Sequence, residues 1–389
     1  MIRRLAIFFS LLATSLSAQD LLQWRSFDPI PSELGVAGPY TGVHGDVLVV
    51  AGGANFPEPV WENDKVWHDA IYAFDLRNPE GSWKEAGTLS RPLGYGTTVS
   101  LPEGILCIGG NDADQVYEDV FLLRWTGDSV AIEALPSLPN PLCYATAAVL
   151  GDFVYLAGGQ TGPGLETATK TFLRFNLAAL GNPDLGEWQP IEPWPGSERA
   201  FSALVTLGDA LHLVGGRHLD ATGETVFLSE HFRFVPDDSG GTWTKLADHP
   251  APLAAGTAAA FGDNTLVTLA GADGSLFAKS DELKDDHPGF PKAIHAYDAV
   301  SDDWFSVGEM PANQVTTEAV PWRGGVFIAS GEVRPRVRTP DVWRVLPADA
   351  GAGSPWERWK FAVLALIVGI PLSIFVAYRS RARKSIRGE

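Results

Sequence analysis

A glycine pair at the end of an apolar run recurs along this chain every fifty to sixty residues or so, the mark of a repeat architecture. The pairs are Gly52-Gly53, Gly109-Gly110, Gly158-Gly159 and Gly215-Gly216, with degenerate forms at Ala270-Gly271 and Ser330-Gly331. Each follows a short apolar strand pattern and precedes a strand pattern carrying an aromatic. A tryptophan then closes four of the units, at Trp83, Trp188, Trp243 and Trp304; Val130 and Ile132 stand in its place in the second. The sixth unit runs out before its tryptophan, while Trp24 and Phe27 lie in a last strand with no unit ahead of it. The simplest resolution is a ring in which the N-terminal strand completes the sixth blade and covers the open sheet edge. The expected fold is therefore all-β, a six-bladed β-propeller over residues 19–346. The 41 glycines and 28 prolines among 389 residues suit many short strands and turns. A pair of β-sandwiches, the competing arrangement, would not produce this periodicity.

Both ends carry targeting signals. Arg3 and Arg4 precede an apolar run and the small residues Ser17 and Ala18, which reads as a signal peptide over residues 1–18. Residues 347–358 read as a linker. Residues 359–378 hold one charge, Lys360, and are long enough to cross a bilayer. Trp356, Trp359 and Tyr378 flank that span as interface anchors, and the basic tail 379–389 belongs on the cytoplasmic side. A buried core helix is the competing reading of the span. The expectation is an exported, periplasmic or extracytoplasmic propeller, anchored in the inner membrane by a C-terminal helix.

Charge narrows the partners. Between Gln19 and Arg358 there are 21 basic and 46 acidic residues, a net of −25 against −18 for the whole chain. Nucleic acid is excluded as a natural partner, because phosphate binding needs a basic face. An anionic small molecule would need a local arginine pocket to overcome that field. Cys107 and Cys143 sit in apolar strand patterns and read as buried small side chains, although an exported protein could join them. His44, His68, His212, His231 and His295 lie in or beside strand patterns and are expected to hydrogen-bond structurally; His218, in a loop, is a weaker site candidate.

One stretch departs from the acidic background. Ser330 to Thr339 places Glu332, Arg334, Arg336 and Arg338 in a short loop stiffened by Pro335. Arginine grips a planar carboxylate with two parallel hydrogen bonds, and a carboxylate beside arginines stays ionised and can move a proton. Arg334 and Arg336 alternate with neighbours of different direction and are expected to face solvent.

These residues resemble the kelch-repeat propellers, and more specifically the N-acetylneuraminate epimerase (sialic acid mutarotase) family, over nearly all of residues 20–346. The carrying motifs are Leu34–Gly38 running into Ala51–Pro57, then Tyr95-Gly96 ahead of Cys107–Gly110, then Gly331–Thr339. The blade order differs from that of the bacterial enzymes, which begin at the unit that starts here near Pro136, so the chain resembles a cyclically permuted branch. A closed ring tolerates that shift. The resemblance implies anomer exchange on N-acetylneuraminate or a related acidic sugar, without metal or other cofactor. It places Glu332 as the proton-transfer group, with Arg338 and Arg199 holding the substrate carboxylate and Asn55 on the substrate side as a feature of this branch. The alternative is a non-catalytic, membrane-tethered propeller that binds a glycan or a protein. A sugar transporter is a possible partner of either form.

Overall fold

The computed structural model describes residues 22–348, apart from 183, 184, 239 and 313. Six four-stranded antiparallel sheets follow one another around an axis. The first blade is Tyr40–His44, Val47–Ala51, Ala70–Asp75 and Lys84–Thr88, counted from the axis outward. The sixth is Ala319–Trp322, Gly325–Ala329, Val342–Pro347 and then Leu22–Phe27, which pairs antiparallel with the third strand in the register Leu22↔Pro347 to Phe27↔Val342. The N-terminal strand thus closes the ring, as the repeat count requires. The expected signal peptide, the expected transmembrane helix, the basic tail and all but the start of the linker lie outside the described residues. Among the described residues no helix is long and apolar enough to cross a membrane.

The second strand of each blade explains why its sequence runs apolar instead of alternating. Val47–Ala51, Gly104–Ile108, Ala210–Val214 and Gly325–Ala329 are buried throughout, because each blade is covered by a neighbour on both faces. The tryptophans rivet one blade to the next. Trp83 donates to Asp28 O at 2.8 Å, Trp188 to Pro136 O at 3.2 Å, Trp243 to Glu192 O at 3.0 Å and Trp304 to Ala247 O at 3.0 Å. Each indole joins a large apolar face to one N–H aimed at the strand end of the preceding blade.

The glycine pairs finish the second strands. Gly52 donates within its own blade, to Ala70 O, and Gly53 donates to the next, at Leu93 O. Both have positive φ, and a Cβ on Gly52 would stand 2.2 Å from Leu93 O. At the sixth unit Ser330 takes the first place. Its hydroxyl accepts from the Val36 N–H at 2.8 Å and reaches Thr339 O at 2.7 Å, so the side chain fastens the seam.

Around the axis runs a closed cycle of backbone hydrogen bonds. Gly38 N–H donates to Thr316 O, Tyr95 to Gly38, Tyr144 to Tyr95, Phe201 to Tyr144, Ala255 to Phe201 and Thr316 to Ala255, at 2.7–2.9 Å. All six residues lie at φ between 53° and 63°. Below this cycle a cavity of about 150 Å³ is lined by residues from all six blades. Glu318 reaches across it from the sixth blade to the second, accepting from the Thr97 hydroxyl at 2.7 Å, the Thr98 N–H at 3.1 Å and the Thr98 hydroxyl.

Burial pushes the Glu318 carboxyl up to about 7, against the hydrogen bonds that favour its charged form. Between the ordinary carboxylate range and pH 7 the folded state therefore holds more protons than the unfolded one, so stability falls as pH rises through that window. Glu318→Gln is expected to flatten the fall in Tm between pH 5 and pH 8. An unchanged slope in thermal melts would count against a buried, raised carboxyl.

Candidate active site

The residue after each glycine pair forms a second ring of equivalent positions above the hydrogen-bonded cycle. These are Ala54, Asn111, Gln160, Arg217, Ala272 and Glu332, each bridged to the residue just before a member of the cycle. Only Arg217 and Glu332 are charged, so the ring directs one cation and one anion to the same mouth.

Glu332 opens a hairpin, Glu332–Arg334 with Val337–Arg338, in which Glu332 and Arg338 are direct cross-strand partners. The six-residue spacing seen in the sequence is therefore a register. Arg338 Nη1 meets Glu332 Oε1 at 2.8 Å, with the arginine side chain 3 % and the glutamate 17 % exposed. Burial disfavours the Arg338 charge, but Glu332 and the Tyr95 phenol outweigh it and hold the guanidinium above its usual range. The turn is tight: Pro335 precedes Arg336 at φ 67°. Arg336 is kept there by its N–H to Glu332 Oε1 at 2.9 Å, by Nη1 to Val60 O at 3.2 Å and by stacking on Phe56 and Trp61. Arg334 pairs with Asp285 at 3.0 Å. Neither arginine simply faces solvent, which corrects the sequence-based expectation; the turn folds both back onto neighbouring loops.

The hairpin borders a cavity of about 810 Å³ on the face where the glycine-pair loops emerge, within the size range of small-molecule sites. Its floor is the hydrogen-bonded cycle, through Tyr95, Tyr144, Phe201 and Thr316. Lys65, Arg217, Arg336 and Arg338 supply cations, and Phe56, Phe227, Phe277 and Phe290 supply apolar wall. Arg217 lies 4.2 Å over the Phe201 ring, its Nε is buried without a hydrogen-bond partner, and it makes no ion pair among the described residues. Burial lowers its hold on the proton while Glu332 opposes that. The fifth blade's long connection, with short helices Phe277–Lys279, Ser280–Leu283 and Lys284–Asp286, walls the far side.

Glu332 and Arg338 both line the cavity. Arg199 does not line it. Its side chain is fully buried and used up by Glu230 Oε2 at 2.6 Å, Gly215 O at 2.8 Å and the faces of Trp194 and Phe232. Asn55 is 6 % exposed and donates to Gly35 O at 2.9 Å, bracing a loop instead of meeting the cavity. His218 faces Glu198 at 3.5 Å. Cys107 and Cys143 are buried and unpaired. His212 and His231 bond to each other at 2.8 Å, and burial pushes them down to about 4 and about 3, which suits structural, neutral rings. Among the described residues no three His, Cys, Asp or Glu side chains gather as metal ligands. Arg217 was missed by the sequence reading. Lining up the six glycine pairs and reading the next residue would have found it.

Arg199→Leu is expected to destabilise the fold by about 3 kcal/mol, since a guanidinium packed between two blades leaves Glu230 and Gly215 O unpaired. A wild-type denaturation curve would overturn this structural assignment.

Comparisons with known proteins agree with the fold and the motifs. The N-acetylneuraminate epimerase family model matches residues 12–132, a narrower stretch than the resemblance read over 20–346. An N-acetylneuraminate epimerase of Brucella suis is 41% identical over 126 residues, 29% of this chain and 31% of the relative. One from Haemophilus influenzae is 25% identical over 237 residues, 55% of this chain and 60% of the relative. The matches thus span from about a third to somewhat over half of these relatives' length. A solved structure titled "Structure of YjhT" superposes with TM-score 0.62 at 17% identity, covering 81% of this chain and 95% of that one; at that identity it speaks for the fold alone. Over part of its length the chain is similar to the N-acetylneuraminate epimerases, and it is built on a six-bladed β-propeller.

Proposed function

We propose that the protein is a mutarotase that interconverts the anomers of N-acetylneuraminate or a closely related acidic sugar. The observation that carries this reading is Glu332, an ionisable carboxylate fixed by Arg338 at 2.8 Å in a cavity whose lining also holds Arg217, which makes no ion pair among the described residues. Anomer exchange breaks the bond between the ring oxygen and the anomeric carbon and remakes it on the other face. It needs a group to take the anomeric hydroxyl proton and a group to protonate the ring oxygen. Glu332 serves as the base. Arg338 orients it. Arg217 grips the substrate carboxylate, the role that the sequence reading had given to Arg199, and so fixes the anomeric carbon relative to Glu332. The apolar wall of Phe227, Phe277 and Phe290 suits an acetamido methyl group.

The test starts from a single crystalline anomer of N-acetylneuraminate, followed to equilibrium by proton NMR. The protein is expected to accelerate equilibration, and Glu332→Gln to abolish the acceleration. Arg217→Ala is expected to raise KM by about 10- to 100-fold, the worth of a charged hydrogen-bonded grip. Binding without acceleration would favour the tethered binding propeller. For location, residues 359–378 are proposed as an anchor that holds an exported propeller at the membrane. A chain ending at residue 355 is expected to move from the membrane to the soluble fraction. Recovery of the same fraction by both chains would reject the anchor. Co-purification of the full chain from solubilised membranes would test the sugar transporter as neighbour.

A further inference from the structure

Glu332 accounts for one of the two proton transfers that anomer exchange requires, and the cavity floor holds a second group with a proton to give. Tyr95 is 4 % exposed and lines the cavity, yet its buried hydroxyl makes no hydrogen bond of normal geometry. A buried polar atom without a partner is rare and asks for an explanation. Its ring is fixed: the backbone belongs to the hydrogen-bonded cycle at φ 59°, Trp67 packs edge-on at 6.3 Å and Tyr144 at 5.0 Å. The neighbouring Tyr144 differs, since its hydroxyl accepts from Asn111 Nδ2 at 3.3 Å. Two cations stand beside the Tyr95 phenol. Lys65 Nζ lies 4.8 Å from its ring centre and makes no ion pair among the described residues. The Arg338 guanidinium, held by Glu332 on one side, is supported in its charged form by the Tyr95 phenol on the other. One guanidinium therefore links the base to the phenol.

Building on the mutarotase reading, we propose that Tyr95 is the catalytic acid that protonates the ring oxygen while Glu332 takes the anomeric hydroxyl proton. As the bond between the ring oxygen and the anomeric carbon breaks, its electron pair stays on the oxygen, which receives the Tyr95 proton. The anomeric O–H proton passes to Glu332, and the anomeric carbon becomes a ketone. The phenolate is stabilised by Arg338 and Lys65. After the carbonyl turns its other face, the phenolate takes the proton back from the attacking hydroxyl. Glu332 then returns its own proton to the new anomeric oxygen. No proton or electron is gained or lost over the cycle.

The experiment compares the wild type with Tyr95→Phe in the NMR equilibration assay, together with calorimetric binding of N-acetylneuraminate and thermal unfolding. The variant is expected to lose about 10²- to 10⁴-fold in kcat, with KM and binding within about threefold and an unchanged Tm. The alkaline limb of the pH–rate profile is expected to disappear. Replacement of Tyr95 by 3-fluorotyrosine, which keeps the shape and acidifies the phenol, is expected to move that limb to lower pH. An active wild type with an equally active Tyr95→Phe overturns the Tyr95 assignment and leaves the mutarotase reading standing. A kcat loss matched by lost binding or lowered Tm also overturns it, as a structural role. A wild type that does not accelerate exchange overturns the mutarotase reading and this assignment with it.

Discussion

The structure depends on a closed cycle of six backbone hydrogen bonds around its axis. Each blade contributes one residue, and each of those residues donates to the one before it and accepts from the one after. Five of the six are not glycine, yet all adopt positive φ, a conformation that costs about 1–3 kcal/mol where nothing compensates. The compensation is geometric. At the axis six segments converge, and an N–H or C=O buried there without a partner would cost a comparable amount each. The cycle fixes where every inner strand begins, the glycine pairs fix where every second strand ends, and the next residue is thereby placed over the axis. Glu332 and Arg217 are charges mounted on that frame.

The frame was largely legible in the residues, because repetition exposes it. The glycine pairs, the orphan strand around Trp24 and the missing sixth tryptophan together required a ring closed at residues 22–27. The Glu332–Arg338 spacing was also legible, and the hairpin register explains it. What stayed hidden depends on contacts between distant segments. Arg199 looks like a site arginine until Glu230 and Gly215 O are seen to consume it. Asn55 looks like a polar contact until Gly35 O takes its amide. Tyr95, Tyr144 and Phe201 give no local sign that they share an unusual backbone conformation, since positive φ is ordinarily announced by glycine.

Electrostatics separates the cavity from the body of the protein. The described domain is strongly acidic, but the cavity gathers Lys65, Arg217, Arg336 and Arg338 around Glu332, with Asp273 and Asp281 also on its lining. Such a field repels anions over most of the surface and attracts them at one point. The aromatic rings under these cations, Phe56 beneath Arg336 and Arg338 and Phe201 beneath Arg217, keep the guanidiniums desolvated without neutralising them. Arginine suits this use better than lysine, because its flat group stacks on a ring and still presents its edge to a ligand.

The seam at Leu22–Phe27 has a consequence for how the molecule comes into being. Its strand pairs with Val342–Pro347, some 320 residues further along the chain, although the entropy of closing so long a loop grows only slowly with length. The blade that carries the seam also carries the Glu332 hairpin. Placement of the Glu332 hairpin and closure of the circle therefore depend on the same blade. A chain interrupted earlier could stack several blades, but it would hold neither a finished circle nor a site, so competence and completeness arrive together.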